Sequence, residues 1–265
     1  AILVRFSQAP SGVTAAYRLG WTVLLLLPVV LLRCRAELRR VTARDLVLCG
    51  ASGVLLALHF LTWFESLKRT SVASSTVLVS TEVIFTALGF ALFLHGKIPR
   101  LGVWAILLAF GGSALLALSG GGGAGELSGN LLALAAASAA AVYTLIGRIQ
   151  RGHLSTTVYT FLTYLACFLT LLLGTAAAGT PLTGYGGREW LIGLALAVLC
   201  TLLGHSLFSW CLKYLSPSYV SAAKLCEPVF SSLAAIPLFG EVPGPLQLAG
   251  GAAVLGAVLL YTWAE

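Results

Sequence analysis

The stretch LKYLSPSYVSAAKLCEPVFSSLAAIPLF, residues 212–239, is mostly apolar but carries two charges and a proline in its middle. Lys224 and Glu227 are three positions apart, so a helix would place them on one face as neighbours. Pro228 removes one backbone donor and loosens the preceding turn. The pattern predicts a polar, irregular spot inside an apolar helix; the alternative is a self-neutralised pair that only fixes helix packing.

A related pattern occurs earlier in the chain. Residues 67–94, LKRTSVASSTVLVSTEVIFTALGFALFL, align with 212–239 without a gap, and HFLTW (59–63) aligns with HSLFSW (205–210) across a single-residue gap. Glutamate, lysine and histidine are rare in this chain, so matches between them indicate an internal repeat. The pairs that carry this argument are Glu82/Glu227, Lys68/Lys213, His59/His205 and Trp63/Trp210.

The composition indicates that most of the surface faces lipid. Of the 265 residues, 58% are hydrophobic and 9% are charged, and the mean hydropathy is +0.96, whereas a soluble domain has about 25% charged residues. Apolar runs of roughly 20 residues cross a bilayer as helices, and runs without strand alternation favour helices over a closed barrel. The predicted spans are 13–32, 45–66, 72–94, 101–119, 129–148, 156–178, 189–213, 218–239 and 246–263.

The repeat predicts how these spans are organised. AILVRF (1–6) resembles the end of a further span, so we expect a first repeat at 1–119, with its helix 1 truncated, and a second repeat at 120–265. The alternative is a removed signal peptide before residue 1. Two repeats of five helices insert in opposite directions, which is a common plan in transporters that bind substrate near the midplane.

The net charge of +7 fits membrane topology better than nucleic-acid binding. Lys and Arg concentrate in cytoplasmic loops, so we place loop 33–44 inside and expect a cytoplasmic C-terminus in a bacterial inner membrane. The arginines of this loop are Arg33, Arg35, Arg39, Arg40 and Arg44. Since the six cysteines form no C-x-x-C pair, we predict no disulfide framework, no metal site and no cofactor.

Glu82 is a candidate proton carrier. An ionisable residue inside a span costs roughly 2.5–3.5 kcal/mol and is a candidate for function. Glu82 matches Glu227 in the repeat, but Val79 stands where Lys224 would be expected. A buried carboxylate without a partner takes up a proton readily, as a proton-coupled carrier requires. The alternative is a protonated glutamate that donates a hydrogen bond to a neighbouring helix.

The other candidates are basic or aromatic. His59 and His205 suit a proton relay or a substrate contact, with simple packing as the alternative. Arg18 suits binding of a substrate carboxylate or phosphate, with snorkelling to the headgroups as the alternative. Trp63 and Trp210 are tied to the repeat and are candidates to line a site, as is Tyr219. The alternative for these aromatic residues is the belt at the membrane interface.

Three stretches resemble the EamA family of the drug/metabolite transporter superfamily: AILVRFSQAPSGVTAAYRLGW (1–21), HFLTWFESLKRTSVASSTVLVST (59–81) and LKYLSPSYVSAAKLCEPVFSSLAAIPLFGEVP (212–243). The EPVF-(x)8-FGE pattern at 227–241 is the most specific part. The resemblance implies an all-α membrane protein with ten helices in two inverted repeats and both termini cytoplasmic. The chain departs from the family pattern at Val83, at HGK (95–97) and at Lys224.

The resemblance implies export of small metabolites, including amino acids, and more distantly multidrug or nucleotide-sugar transport. We therefore expect a carrier with a small-molecule substrate that works by alternating access as a monomer or homodimer. Proton exchange through Glu82 and Glu227 is the hypothesis for its driving force. The alternative is a non-transporting structural or lipid-interacting membrane protein. The sequence has no H-E-x-x-H or G-x-S-x-G motif, which disfavours an enzyme.

Overall fold

A computed structural model describes the chain except residues 94–97, 120–123, 216–219, 221–223, 225 and 265. The described residues form helices joined by turns and loops, with no strand among them. The helices are α1 (Ile2–Phe6), α2 (Ser11–Arg33), α3 (Arg35–Leu38), α4 (Ala43–Arg69), α5 (Val72–Val79), α6 (Glu82–Phe93), α7 (Arg100–Ser119), α8 (Ala124–Gln150), α9 (Thr156–Ala177), α10 (Gly187–Ala195), the π-helix π1 (Leu196–His205), α11 (Ser206–Cys211), α12 (Cys226–Phe239) and α13 (Pro245–Ala264).

The predicted all-α membrane fold is confirmed. Within the described residues, seven helical segments are long and apolar enough to cross a bilayer. Two shorter apolar helices, Arg100–Leu115 and Glu227–Phe239, fall where the remaining two spans were predicted. The seven segments are Ser11–Arg33, Ala43–Arg69, Val72–Leu92, Gly125–Gln150, Thr156–Ala177, Gly187–Cys211 and Pro245–Ala264.

The predicted span 72–94 is interrupted between α5 and α6. The hydroxyl of Ser80 donates to the carbonyl of Thr76 at 2.9 Å, and the hydroxyl of Thr81 donates to the carbonyl of Leu78 at 2.7 Å. Side-chain hydroxyls that compete for backbone carbonyls bend or break helices. The local sequence VSTE therefore ends one helix and makes Glu82 the first residue of the next.

The span 189–213 also departs from a regular helix, because ten of its residues are π-helical. In π1 the hydroxyl of Thr201 donates to the carbonyl of Leu196, five residues earlier, and Ser206 does the same to Thr201. π-helical turns are rare and occur frequently at functional sites. This segment carries Thr201 and His205.

The chain forms two compact units, and each takes segments from both halves of the sequence. The first unit contains Ala1–Arg5, Thr62–Val142 and Ser216–Glu265. In it α13 packs along α7, and α12 packs on α5. A Cβ on Gly112 would lie 2.9 Å from both the Cβ of Ala253 and the carbonyl of Gly250, so this glycine permits the close α7–α13 contact.

The second unit contains Phe6–Leu61 and Tyr143–Leu215. Here α2 packs on α9, α10 and π1. Gly53 of α4 permits a close approach to α9, since a Cβ there would lie 2.5 Å from the Cβ of Ala166 and 2.6 Å from the carbonyl of Thr163. Close helix contacts at small residues are the usual way in which helices associate in membranes. The division into repeats at 1–119 and 120–265 stays a prediction.

Candidate functional site: a buried arginine centre and a buried ion pair

The second unit contains a fully buried arginine. The side chain of Arg18, on α2, is 1% exposed. Its Nε donates to the hydroxyl of Thr201 at 2.7 Å, and its guanidinium lies 4.2 Å from the centroid of the Phe60 ring. Guanidinium groups stack on aromatic faces in this way. Snorkelling of Arg18 to the headgroups is therefore wrong, because the side chain points into the protein.

The two histidines of the repeat lie beside Phe60, the ring on which this arginine stacks. The His205 ring is 5.5 Å from that of Phe60 and 6.4 Å from that of His59, measured between centroids. The Tyr143 ring is also 6.4 Å from that of His205, and its hydroxyl is 3.3 Å from the hydroxyl of Ser209. We call this cluster the Arg18 centre; its members are Arg18, His59, Phe60, Tyr143, Thr201 and His205.

Local helix geometry assembles the Arg18 centre from four segments. Arg18 lies on α2, the adjacent residues His59 and Phe60 lie on α4, and Tyr143 lies on α8. The π-helix supplies both Thr201 and His205. The repeat comparison identified the histidines, but neither Thr201 nor Phe60 was singled out, because a hydroxyl or a phenyl ring in an apolar run carries no distinctive signal.

The first unit contains a buried ion pair. Lys224 Nζ donates to both carboxylate oxygens of Glu82, at 2.9 and 3.0 Å. The Glu82 side chain is 6% exposed and that of Lys224 is 21% exposed. Glu82 is also the first residue of α6, where the helix dipole stabilises a negative charge. We call this the Lys224–Glu82 pair.

This pair corrects two predictions. We expected Lys224 to pair with Glu227 on one helix face and Glu82 to lack a partner, but Lys224 pairs with Glu82 instead. Lys224 lies in a turn before α12 begins at Cys226, so the spacing rule for a continuous helix does not apply. The side chain of Glu227 is 47% exposed and contacts the amino group of Ala1.

The aromatic candidates Trp63 and Trp210 belong to different units. Trp63 is buried in the first unit beside Phe64, with ring centroids 5.7 Å apart. Trp210, in the second unit, is 49% exposed and packs on Tyr214. Tyr219 lies outside the described residues.

Glu241 has a role that the sequence did not predict. Its two carboxylate oxygens accept from Arg5 at 2.5 Å and from the backbone N–H of Val72 at 2.7 Å. Arg5 also donates to the carbonyl of Leu67. Glu241 thus satisfies an N–H at the first turn of α5 and neutralises an arginine. The FGE end of the motif at 227–241 is the signal that singles out this residue.

The two sites differ in their chemistry. Arg18 contacts a hydroxyl and an aromatic ring, and imidazole and phenol groups lie around that ring. Such a cluster can bind the carboxylate or phosphate of a small molecule. The Lys224–Glu82 pair is neutral as a unit and changes its net charge when Glu82 binds a proton. Among the described residues no group of His, Cys, Asp and Glu could hold a metal ion.

The chain belongs to the EamA-like transporter family, whose sequence profile matches residues 2–118 and again residues 127–263. It is therefore an integral membrane protein of a transporter family.

Two relatives are named as exporters. The chain is 24% identical over 207 residues to the pseudopaline exporter CntI of Pseudomonas aeruginosa strain UCBPP-PA14, covering 78% of this chain and 72% of that protein. It is 28% identical over 233 residues to a probable terminal-alkyne amino-acid exporter of Streptantibioticus cattleyicolor, covering 84% of this chain and 75% of that protein.

A protein of known crystal structure has a similar fold. It matches 99% of this chain and 94% of its own length with a TM-score of 0.65 and 18% sequence identity. At this identity the match supports the fold alone.

Proposed function

We propose that the protein exports amino acids or related small metabolites that carry a carboxylate, by alternating access across a bacterial inner membrane. The family, and the relatives that are named as exporters, support the export of small molecules. The observation that carries the substrate class is the burial of Arg18 among hydrogen-bonding and aromatic side chains.

A buried arginine suits a carboxylate because its planar N–H donors match the two oxygens. Nε of Arg18 faces Thr201, which fixes the orientation of the guanidinium. The Phe60 ring supports one face of the group. His59, His205 and Tyr143 supply further polar groups for the amino end or the side chain of a substrate.

Alternating access follows from the predicted inverted repeats, in which one repeat rocks against the other around a central site. The broken helix α5–α6 supports this proposal, because discontinuous helices form binding sites in many transporters. We expect a cytoplasmic C-terminus, from the arginine-rich loop 33–44, and a monomer or homodimer as the working form.

Proton coupling is the part of the proposal that concerns the Lys224–Glu82 pair. When Glu82 binds a proton, the carboxylate loses its charge and Lys224 loses its ionic partner. Burying the lysine alone is then unfavourable, so protonation favours a conformation in which Lys224 reaches water. Glu227, which is half exposed, is the second candidate carboxylate.

The test is counterflow of labelled amino acids in proteoliposomes, with and without an imposed pH gradient. We expect uptake by the wild type, loss of uptake in Arg18→Gln, and uptake without gradient dependence in Glu82→Gln. Glu65→Gln serves as a control, because Glu65 forms a surface pair with Arg69. Unchanged uptake in Arg18→Gln would contradict the carboxylate site, and unchanged gradient dependence in a Glu82→Gln/Glu227→Gln double variant would contradict the coupling mechanism.

A further inference from the structure

The connection between α2 and α4, together with the two helix ends that flank it, carries a dense group of exposed positive charges. We call it the basic segment; its arginines are Arg33, Arg35, Arg39, Arg40 and Arg44, and all of them are exposed. Among the described residues, none of the five forms an ion pair. Their charges are thus available to a negatively charged partner.

The acidic residues of this region accept hydrogen bonds that fix the position of the basic segment. Glu37 accepts from the backbone N–H of Ser155 at 2.6 Å. Asp45 accepts from the hydroxyl of Thr42 at 2.7 Å and from Gln150 at 3.2 Å, and its Oδ1 lies 2.7 Å from Nε2 of His153. The basic segment is therefore an ordered platform, tied to the α8–α9 connection by its own acids.

The basic segment lies directly beside surface that faces lipid. Leu32 at the end of α2 is 84% exposed, and Val47 near the start of α4 is 70% exposed. Both helices are long and apolar enough to cross the membrane. Arginines at these helix ends lie at the depth of the phospholipid headgroups, where clusters of four to eight basic residues bind anionic lipid.

We propose that the basic segment is a binding site for the phosphate of an anionic phospholipid. The arginine fork binds a phosphate through two parallel hydrogen bonds, which a lysine does not reproduce. The ordered scaffold of α3 and the contacts of Glu37 and Asp45 distinguish this site from diffuse attraction to a charged membrane. This site is independent of the transport site around Arg18.

The test titrates dioleoylphosphatidylglycerol, or dioleoylphosphatidylcholine as the neutral lipid, into the purified full chain in neutral detergent and measures bound lipid by native mass spectrometry. The variant Arg39→Gln/Arg40→Gln/Arg44→Gln removes three exposed charges and should weaken phosphatidylglycerol binding by about a hundredfold, roughly fivefold for each arginine. The variant Arg39→Lys/Arg40→Lys/Arg44→Lys keeps the three charges, and its affinity for phosphatidylglycerol should lie between those of the wild type and the triple glutamine variant. Arg100→Gln, which removes one exposed charge elsewhere, should bind as the wild type does.

Three results would overturn the proposal. The first is equal affinity of the wild type and the triple glutamine variant for phosphatidylglycerol, and the second is equal affinity of the wild type for the two lipids. The third is full displacement of the lipid by millimolar inorganic phosphate, which would indicate a site for a free anion. The thermal midpoint of each variant without added lipid verifies that it is folded.

Discussion

The Arg18 centre and the Lys224–Glu82 pair are both buried and charged, but different groups contact the two charges. Lys224 donates to a carboxylate of the protein, whereas Arg18 donates to the hydroxyl of Thr201 and stacks on the ring of Phe60. A buried pair of opposite charges is neutral and responds to protonation of its acid. A buried arginine stays charged at every physiological pH. The first arrangement suits a switch, and the second suits the binding of an anion.

The Arg18 centre and the Lys224–Glu82 pair should also respond differently to pH. Because arginine keeps its proton, the charge of Arg18 itself does not change between neutral and mildly acidic pH. The Lys224–Glu82 pair is lost when the pH falls far enough for Glu82 to bind a proton.

The largest expected effect is on stability, from breaking the ion pair on one side. Lys224→Met leaves the Glu82 carboxylate buried without its lysine, which should destabilise the protein by about 3–5 kcal/mol. The double variant Lys224→Met/Glu82→Gln should recover most of this loss, because neither charge of the pair remains. Thermal unfolding in detergent measures the stability of both variants. Equal midpoints for the single and the double variant would mean that Lys224 and Glu82 do not stabilise each other.

The next effect is on transport, from removing the arginine. Arg18→Gln removes charge-assisted hydrogen bonds worth about 1.5–3 kcal/mol, so amino-acid uptake should fall roughly ten- to hundredfold. Arg18→Lys keeps the charge but loses the planar fork, so its uptake should lie between that of the wild type and that of Arg18→Gln. Equal uptake by Arg18→Gln and the wild type would mean that the Arg18 centre does not bind the substrate anion.

A smaller effect is expected from the group that orients the arginine. Thr201→Val removes the hydroxyl that accepts from Arg18 Nε and should cost about 1 kcal/mol, or roughly fivefold in apparent affinity. Thr201→Ser retains the hydroxyl and should restore the affinity. A Thr201→Val variant with wild-type affinity would indicate that the Thr201 hydroxyl does not position the guanidinium.

The smallest effect is expected at the surface. In the Glu65–Arg69 pair the carboxylate and the guanidinium are 2.8 Å apart, and both side chains are at least one-third exposed. Exposed pairs four residues apart on a helix contribute about 0.3–0.5 kcal/mol. Glu65→Gln should therefore leave both the thermal midpoint and uptake nearly unchanged. A large loss of stability here would mean that solvent does not screen this pair.

The sequence predicted the helices well, because apolar runs of bilayer length leave the backbone few alternatives. It predicted the partner of Lys224 wrongly, since spacing arguments assume a continuous helix and Lys224 precedes α12. The π-helical turn at 196–205 has no recognisable sequence pattern.

The sequence also left the orientation of Arg18 open between snorkelling and burial. Only its contacts with Thr201 and Phe60, which belong to distant parts of the chain, decide between them. The repeat aligns His59 with His205, but alignment of two positions does not predict that their side chains lie close together, as they do in the structure.

The most direct test of the central claim compares an amino acid with its carboxamide as competitors for uptake in proteoliposomes. The wild type should be inhibited at least tenfold better by the amino acid, because only its carboxylate binds the Arg18 guanidinium with two charge-assisted hydrogen bonds. Arg18→Gln should lose this preference. Equal inhibition of the wild type by the two compounds would contradict the assignment of Arg18 as the carboxylate site.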